Sequence, residues 1–347
     1  MATILCTLYN SLYLDKGLVL YDSLCECAKD FRLYVLCMDD KCYEVLTDLN
    51  QTNHVPIRLS DFEKDDEELQ KAKANRSMGE YCWTCSSSLI RYILQTYKHE
   101  TCTYIDADMY FYHDPQILVD EMIAAGKSVM ITPHRFPKDK EKLAKRVGKY
   151  CVEFNTFVNN EDGLKVLDYW RNRCLDCCSN IGDGIHWGDQ KYLEEFENKF
   201  NCVHVCENLG AGIAPWNVSL YKKSKEANID TISYLVNGIS IIPIFYHFQG
   251  LQYISRSSIV TAVIADQNNV DYGMVDMFYI PYLKTIEEKK KFLEKKYGIL
   301  YVIKNHPSDK PMSEIRRVFH RIWLYKILLW LFQLTQKKQE LYVVNID

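Results

Sequence analysis

Residues 102–112 read CTYIDADMYFY, and Asp106 and Asp108 stand one residue apart where an apolar run ends. Such a pair is poor core material, because an unpaired buried charge costs on the order of several kcal/mol. It suits a hard divalent cation, which takes oxygen ligands and bridges to phosphate. Alternate residues of an extended chain share a face, so both carboxylates can point the same way. Mn2+ or Mg2+ held there would neutralise a diphosphate as negative charge develops on it in a leaving group. The plain alternative is a solvated strand end with a turn-forming Asp, and D-x-D alone does not decide between the two.

His247 closes a second apolar run, IPIFYH, with Gly250 shortly after. A neutral imidazole is a good third ligand for Mn2+, whereas an isolated His is more often a satisfied core residue. Gly188-Asp189-Gln190 leads a helical pattern over 191–196. A carboxylate and an amide at a helix start can grip sugar hydroxyls or supply a base; the plain alternative is an N-cap. Asn155, in the strand-like FNT, offers an amide to a sugar hydroxyl. Thr7, Tyr9, Asn10 and Tyr13 follow the first strand, where a nucleobase and ribose sit in a doubly wound sheet. Arg76, in ANRSMGEYCW, could reach a phosphate or be a loop arginine. The stretch 134–149 carries Arg135, Lys138, Lys140, Lys142, Lys145, Arg146 and Lys149. It could meet an anionic acceptor or phosphate, although a charge run is usually a solvated face.

These residues need a scaffold, and the first 250 residues alternate apolar runs with helical patterns. Strands are expected at 3–8, 32–38, 54–59, 102–106, 127–132 and 150–158, with a further pair near 231–247. Helices are expected at 16–29, 41–49, 61–74, 86–98, 115–125 and 161–175. Ser60 and Glu63 have the spacing of a capping box for the third helix, and Asp114-Pro115 suits the start of the fifth. The alternation predicts an α/β domain with a mostly parallel sheet flanked by helices, which binds ligands at the carboxyl ends of its strands. That places the Asp106–Asp108 pair at a binding edge.

A chain of 347 residues, 48% hydrophobic and 25% charged, builds one or two globular domains. Its net charge of −4 argues against nucleic acid as a partner. The 25 Tyr and 6 Trp suit sugar or nucleobase sites, but serve cores and interfaces equally. The N-terminus lacks a basic stretch ahead of its apolar residues, so the 14 cysteines of the chain read as reduced thiols of a cytoplasmic protein. Cys82-x-x-Cys85 and Cys174-x-x-Cys177 have zinc-ligand spacing, but the pairs lie far apart and in helical patterns. From about residue 251 the pattern changes to a C-terminal extension, 251–347, with a charged helix at 286–297. Its segment 313–335, SEIRRVFHRIWLYKILLWLFQLT, is basic on one face at first and then apolar nearly all round. The apolar run 322–334 is shorter than the roughly 20 residues of a spanning helix. It fits either a helix lying on the inner face of a membrane or a core or homodimer helix.

In order and spacing, IDAD, FNTFVNN, GDQKYL and the His247-x-x-Gly250 motif resemble the GT-A glycosyltransferases, in the glycogenin and bacterial galactosyltransferase-like branch. The resemblance spans about residues 1–250; APWN at 214–217 and the CWTC run look like a bacterial subgroup of sugar transferases. It implies a Rossmann-like sheet, Mn2+ and a UDP-sugar donor, with retention of anomeric configuration. It implies Asp106, Asp108 and His247 as metal ligands, with Thr7, Tyr9, Asn10, Tyr13, Arg76, Asp106 and Ala107 around the nucleotide. Asn155, Asp189 and Gln190 would orient donor sugar or acceptor, a glycan or lipid-linked hydroxyl. The family's Lys-Pro-Trp beyond H-x-x-G is absent, since Leu251, Gln252 and Tyr253 stand there, with Arg256 as a substitute cation. The family's aromatic-x-Arg is also not evident in YCWTCSSS. Two other readings compete. One is a haloacid-dehalogenase-like phosphatase, whose D-x-D normally sits on the first strand. The other is a non-catalytic nucleotide- or sugar-binding protein at a membrane.

Overall fold

The computed structural model describes residues 2–179, 187–223, 231–253, 258–264, 270–301 and 341–345. Its first strand, β1 (Thr3–Tyr9), is buried along its whole length. Ile4, Cys6 and Leu8 belong to one apolar cluster, and Leu5 and Tyr9 to another. The sheet is therefore covered on both faces, which is why its strands read as continuous apolar runs rather than alternating ones.

The chain continues through α1 (Leu14–Cys27), β2 (Phe31–Cys37), α2 (Asp40–Leu49), β3 (His54–Arg58), α3 (Leu59–Glu63), α4 (Glu67–Lys73) and α5 (Met78–Tyr97). Next come β4 (Thr101–Ile105), β5 (Met109–Phe111), α6 (Gln116–Ala124), β6 (Val129–Pro133), α7 (Glu141–Val147) and β7 (Tyr150–Val158). They are followed by α8 (Glu161–Asp176), α9 (Phe196–Lys199) and β8 (Val203–Val205). The main sheet has seven strands in the order β3-β2-β1-β4-β7-β6-β8. Only β7 runs against its neighbours; the other pairings are parallel. A mostly parallel, helix-flanked α/β sheet is thus what the sequence pattern predicted.

Beyond the sheet lie β9 (Tyr221–Lys223), β10 (Ile232–Tyr234), β11 (Ile239–Ile241), β12 (Phe245–His247), β13 (Gln252–Tyr253), β14 (Ser258–Ile264), α10 (Tyr272–Tyr297) and β15 (Leu341–Asn345). A third apolar cluster joins Val19, Ile213 and Tyr246 to Phe278, Tyr279 and Ile286 of α10, drawing on both sides of residue 250. Asp271 caps α10 by accepting from the Met274 N–H. Gly298, at φ 68°, ends it in the left-handed region. The expected helix 286–297 is its second half. Among the described residues no helix is long and apolar enough to cross a membrane. The segment 313–335 and Arg256 lie outside the described residues.

Two local expectations are corrected. The helix predicted over 61–74 is split, because the Asp66 side chain accepts from the Leu69 N–H at 3.0 Å and starts α4 afresh. Glu63 does not cap; it accepts from the Tyr81 hydroxyl at 2.6 Å and pairs with Lys73 at 2.8 Å. The capping box is instead Ser77 with Glu80, which opens α5 at Met78 and makes YCWTC helical.

Candidate active site

The strand β4 stops at Ile105, and Asp106–Asp108 form the turn into β5. The carboxylates therefore sit on a turn, not on an extended strand as the sequence pattern suggested. A two-stranded ribbon then supplies the third group. β5 pairs antiparallel with β12, and Met109 stands opposite His247. This register delivers His247 to the turn. Its Nε2 lies 3.1 Å from Asp108 Oδ1 and 3.6 Å from Asp106 Oδ2.

Behind the imidazole stands β7. Its alternation puts Cys151, Glu153 and Asn155 on one face. Glu153 is fully buried, and its Oε2 lies 2.8 Å from His247 Nδ1. The other oxygen, Oε1, has no hydrogen-bond partner among the described residues. It lies against Gly212, where an added Cβ would approach it to 2.8 Å at φ +72°. The Asp106 N–H donates to the Glu153 carbonyl at 3.3 Å, tying the turn to the same strand.

Burial pushes the Asp106 carboxyl up to about 6. It pushes Asp108 the same way, but His247 and Lys16 outweigh it and hold that carboxyl below its ordinary value. Burial would lower His247, yet Asp108 and the neighbouring hydrogen bonds hold it well above the usual imidazole range. The surrounding acids thus favour the protonated ring, and a metal at Nε2 would compete with that proton.

One oxygen of Asp106, the Cys151 sulfur and a His247 nitrogen also lie within 4.8 Å of one another. That set alone would suit a softer ion. Burial pushes the Cys151 thiol up to about 12, so it stays protonated near neutrality. The two carboxylates and the imidazole are the better donors; the carboxylate oxygens suit a hard ion such as Mn2+ or Mg2+, and the imidazole favours Mn2+ of the two.

These groups face a cavity of about 760 Å3, within the usual range for small-ligand sites. Tyr9, Asn10, Tyr13, Asp106, Ala107, Asp108, Asp189, Gln190 and His247 all line it. Tyr9 reaches it because Gly17 of α1 has no side chain: a Cβ there would lie 2.3 Å from the Tyr9 ring. Asp189 is buried, which raises its carboxyl to about 7 against the pull of the Ser86 hydroxyl. Gln190 Nε2 donates to the Val147 carbonyl at 2.6 Å.

Thr7, Arg76 and Asn155, expected at the site, do not line the cavity. Thr7 is fully buried in β1. Arg76 donates to the carbonyls of Cys174 and Leu175 at 2.6 and 2.5 Å, and also contacts Thr84. Asn155 Oδ1 accepts from the Thr132 N–H at 3.3 Å.

Sequence reasoning missed Glu153, although a lone carboxylate in the apolar run YCVEFNTFV was a signal. It also missed the aromatic wall. Trp83, Phe136, Trp187 and Trp216 line the cavity, together with Lys140 and Arg146. Trp216 meets His247 edge-on at 5.3 Å and donates from its indole to the His134 carbonyl at 2.9 Å. Arg135 does not project into solvent; its guanidinium donates to the carbonyls of Ala211, Cys206 and Asn208 at 2.6–3.0 Å.

No protein-family model matches the chain. The uncharacterized protein YfnD of Bacillus subtilis (strain 168) is 30% identical over 291 residues, 81% of this chain and 88% of its own. YfnF of the same organism is 28% identical over 306 residues, 86% of this chain and 97% of its own. Among solved structures, galactosyltransferase LgtC in complex with donor and acceptor sugar analogs matches with a TM-score of 0.50. That match, at 12% identity, covers 82% of this chain and 96% of LgtC.

Proposed function

We propose, from the premise that this chain belongs to the family of Bacillus subtilis YfnD and has the GT-A glycosyltransferase fold, that it transfers a sugar from a nucleoside diphosphate to a hydroxyl acceptor. The donor this reading favours is a UDP-sugar, and Mn2+ or Mg2+ would be held by Asp106, Asp108 and His247. The observation that carries it is the convergence of two carboxylates and one imidazole, from a turn and a distant strand, on the wall of one cavity. The bound cation would supply charge neutralisation at the departing diphosphate.

The chain's own residues do the rest. Glu153 accepts from His247 Nδ1 and so leaves Nε2 facing the ligand position. Tyr9, Asn10 and Tyr13 would contact base and ribose. Asp189 and Gln190 would orient donor sugar or acceptor. With retention, no dedicated base is needed. With inversion, Asp189 is the candidate base, since burial places its carboxyl at about 7.

The aromatic rings of Trp83, Phe136, Trp187 and Trp216 suit the apolar faces of a glycan, and Lys140 and Arg146 suit an anionic group on it. A lipid-linked acceptor would fit that wall. A panel of nucleotide sugars, read by nucleoside diphosphate release with and without Mn2+, tests the reading. Metal-stimulated release from one donor supports it. Nucleotide binding with no turnover under any condition would favour the non-catalytic binding protein instead.

A further inference from the structure

Lys16, the third residue of α1, is 5% exposed and forms no ion pair among the described residues. Its ammonium rests on the face of Tyr13, 3.9 Å from the ring centroid. A ring face returns less than the desolvation of an ammonium costs, so a buried cation left in this state calls for an explanation.

The adjacent acid does not hold it. Asp15 is fully buried, and its Oδ1 accepts the Lys16 backbone N–H at 2.9 Å. Its Oδ2 accepts the Tyr253 hydroxyl at 2.5 Å. Burial works against the charge on Lys16, but Tyr13, Asp108 and Asp15 outweigh it and keep the side chain an ammonium. Tyr13 and Asp108 both line the cavity. The cation therefore lies against a ring that lines the cavity, in the field of a carboxylate that lines it too. It is also in the first turn of a 14-residue helix, whose positive end favours an anion. Of the two cations on the wall itself, Lys140 donates to the Trp216 carbonyl at 2.9 Å and Arg146 lies over the Trp187 ring at 5.3 Å.

We propose that Lys16 is a phosphate-binding residue of the donor site, its ammonium leaving the Tyr13 face to pair with the diphosphate of a bound nucleotide. This rests on the donor reading above. A lysine on a flexible four-carbon stem suits such a shift, because it acts as a mobile point charge. The competing role is a fixed counter-charge for Asp108 and Asp15. The two roles differ toward phosphate: removing a mere counter-charge would leave the gain in affinity from uridine to UDP unchanged.

The test is calorimetric titration of uridine and UDP, each in Mn2+, into the full-length wild type and Lys16→Met. The expected result is UDP affinity lower by about 10- to 100-fold, with uridine affinity within about twofold of wild type. Lys16→Gln is read the same way should the Met variant fail to fold by circular dichroism, and Lys16→Arg should keep most of the UDP affinity. Unchanged UDP affinity in a folded variant overturns the assignment. So does equal weakening of uridine and UDP, which would mark a displaced Tyr13 rather than a lost phosphate contact. A wild type that binds no UDP overturns the donor reading itself, and the assignment with it.

Discussion

His247 and Glu153 are joined by a 2.8 Å hydrogen bond between Nδ1 and Oε2, and both side chains are buried. A carboxylate so placed fixes which ring nitrogen carries the proton and which faces a ligand. Glu153→Ala should weaken Mn2+ binding by about 10- to 100-fold, measured by calorimetry or the Mn2+ EPR signal of the full chain. Glu153→Gln keeps an acceptor and should lose less. Equal Mn2+ affinity in all three proteins would remove Glu153 from the site.

Asp189 links burial to pH. Its carboxyl is raised from 3.8 to about 7, chiefly by desolvation. A raised folded pKa means that the protonated form favours the fold. The contribution is full below 3.8 and is lost as pH rises through about 7. Asp189→Asn removes this titration. Its melting temperature relative to wild type, measured in EDTA, should climb by a few degrees between pH 4 and 7 and then level off. A difference flat across that window would contradict the assignment.

Gly17 is required by a neighbour rather than by its own backbone. A Cβ there would lie 2.3 Å from the Tyr9 ring. Gly17→Ala should cost about 1–3 kcal/mol of stability in denaturant unfolding. By displacing Tyr9 it should also weaken uridine binding. A variant with wild-type stability and binding would show that the ring moves aside freely.

Part of this was legible in the sequence. The apolar runs marked β1, β4 and β7, and Asp106 and Asp108 stood out because carboxylates do not belong at the end of such a run. What brings His247 to them was hidden. β5 and β12 are three residues each, and pairing between short, distant strands leaves no periodic trace. Capping boxes misled for a related reason. Ser60-x-x-Glu63 and Ser77-x-x-Glu80 share one signature, and only tertiary contacts, Tyr81 and Lys73 on Glu63, decide which caps a helix. Glu153 could have been found, since a lone acid inside YCVEFNTFV must have a partner.

The most direct measurement is sugar transfer by wild type, Asp106→Asn and Asp108→Asn, using the donor that the nucleotide-sugar panel selects, with and without Mn2+. The account predicts Mn2+-dependent turnover in the wild type and a loss of about 100-fold or more in both variants. Undiminished transfer by the folded variants, or wild-type transfer indifferent to the metal, would contradict it.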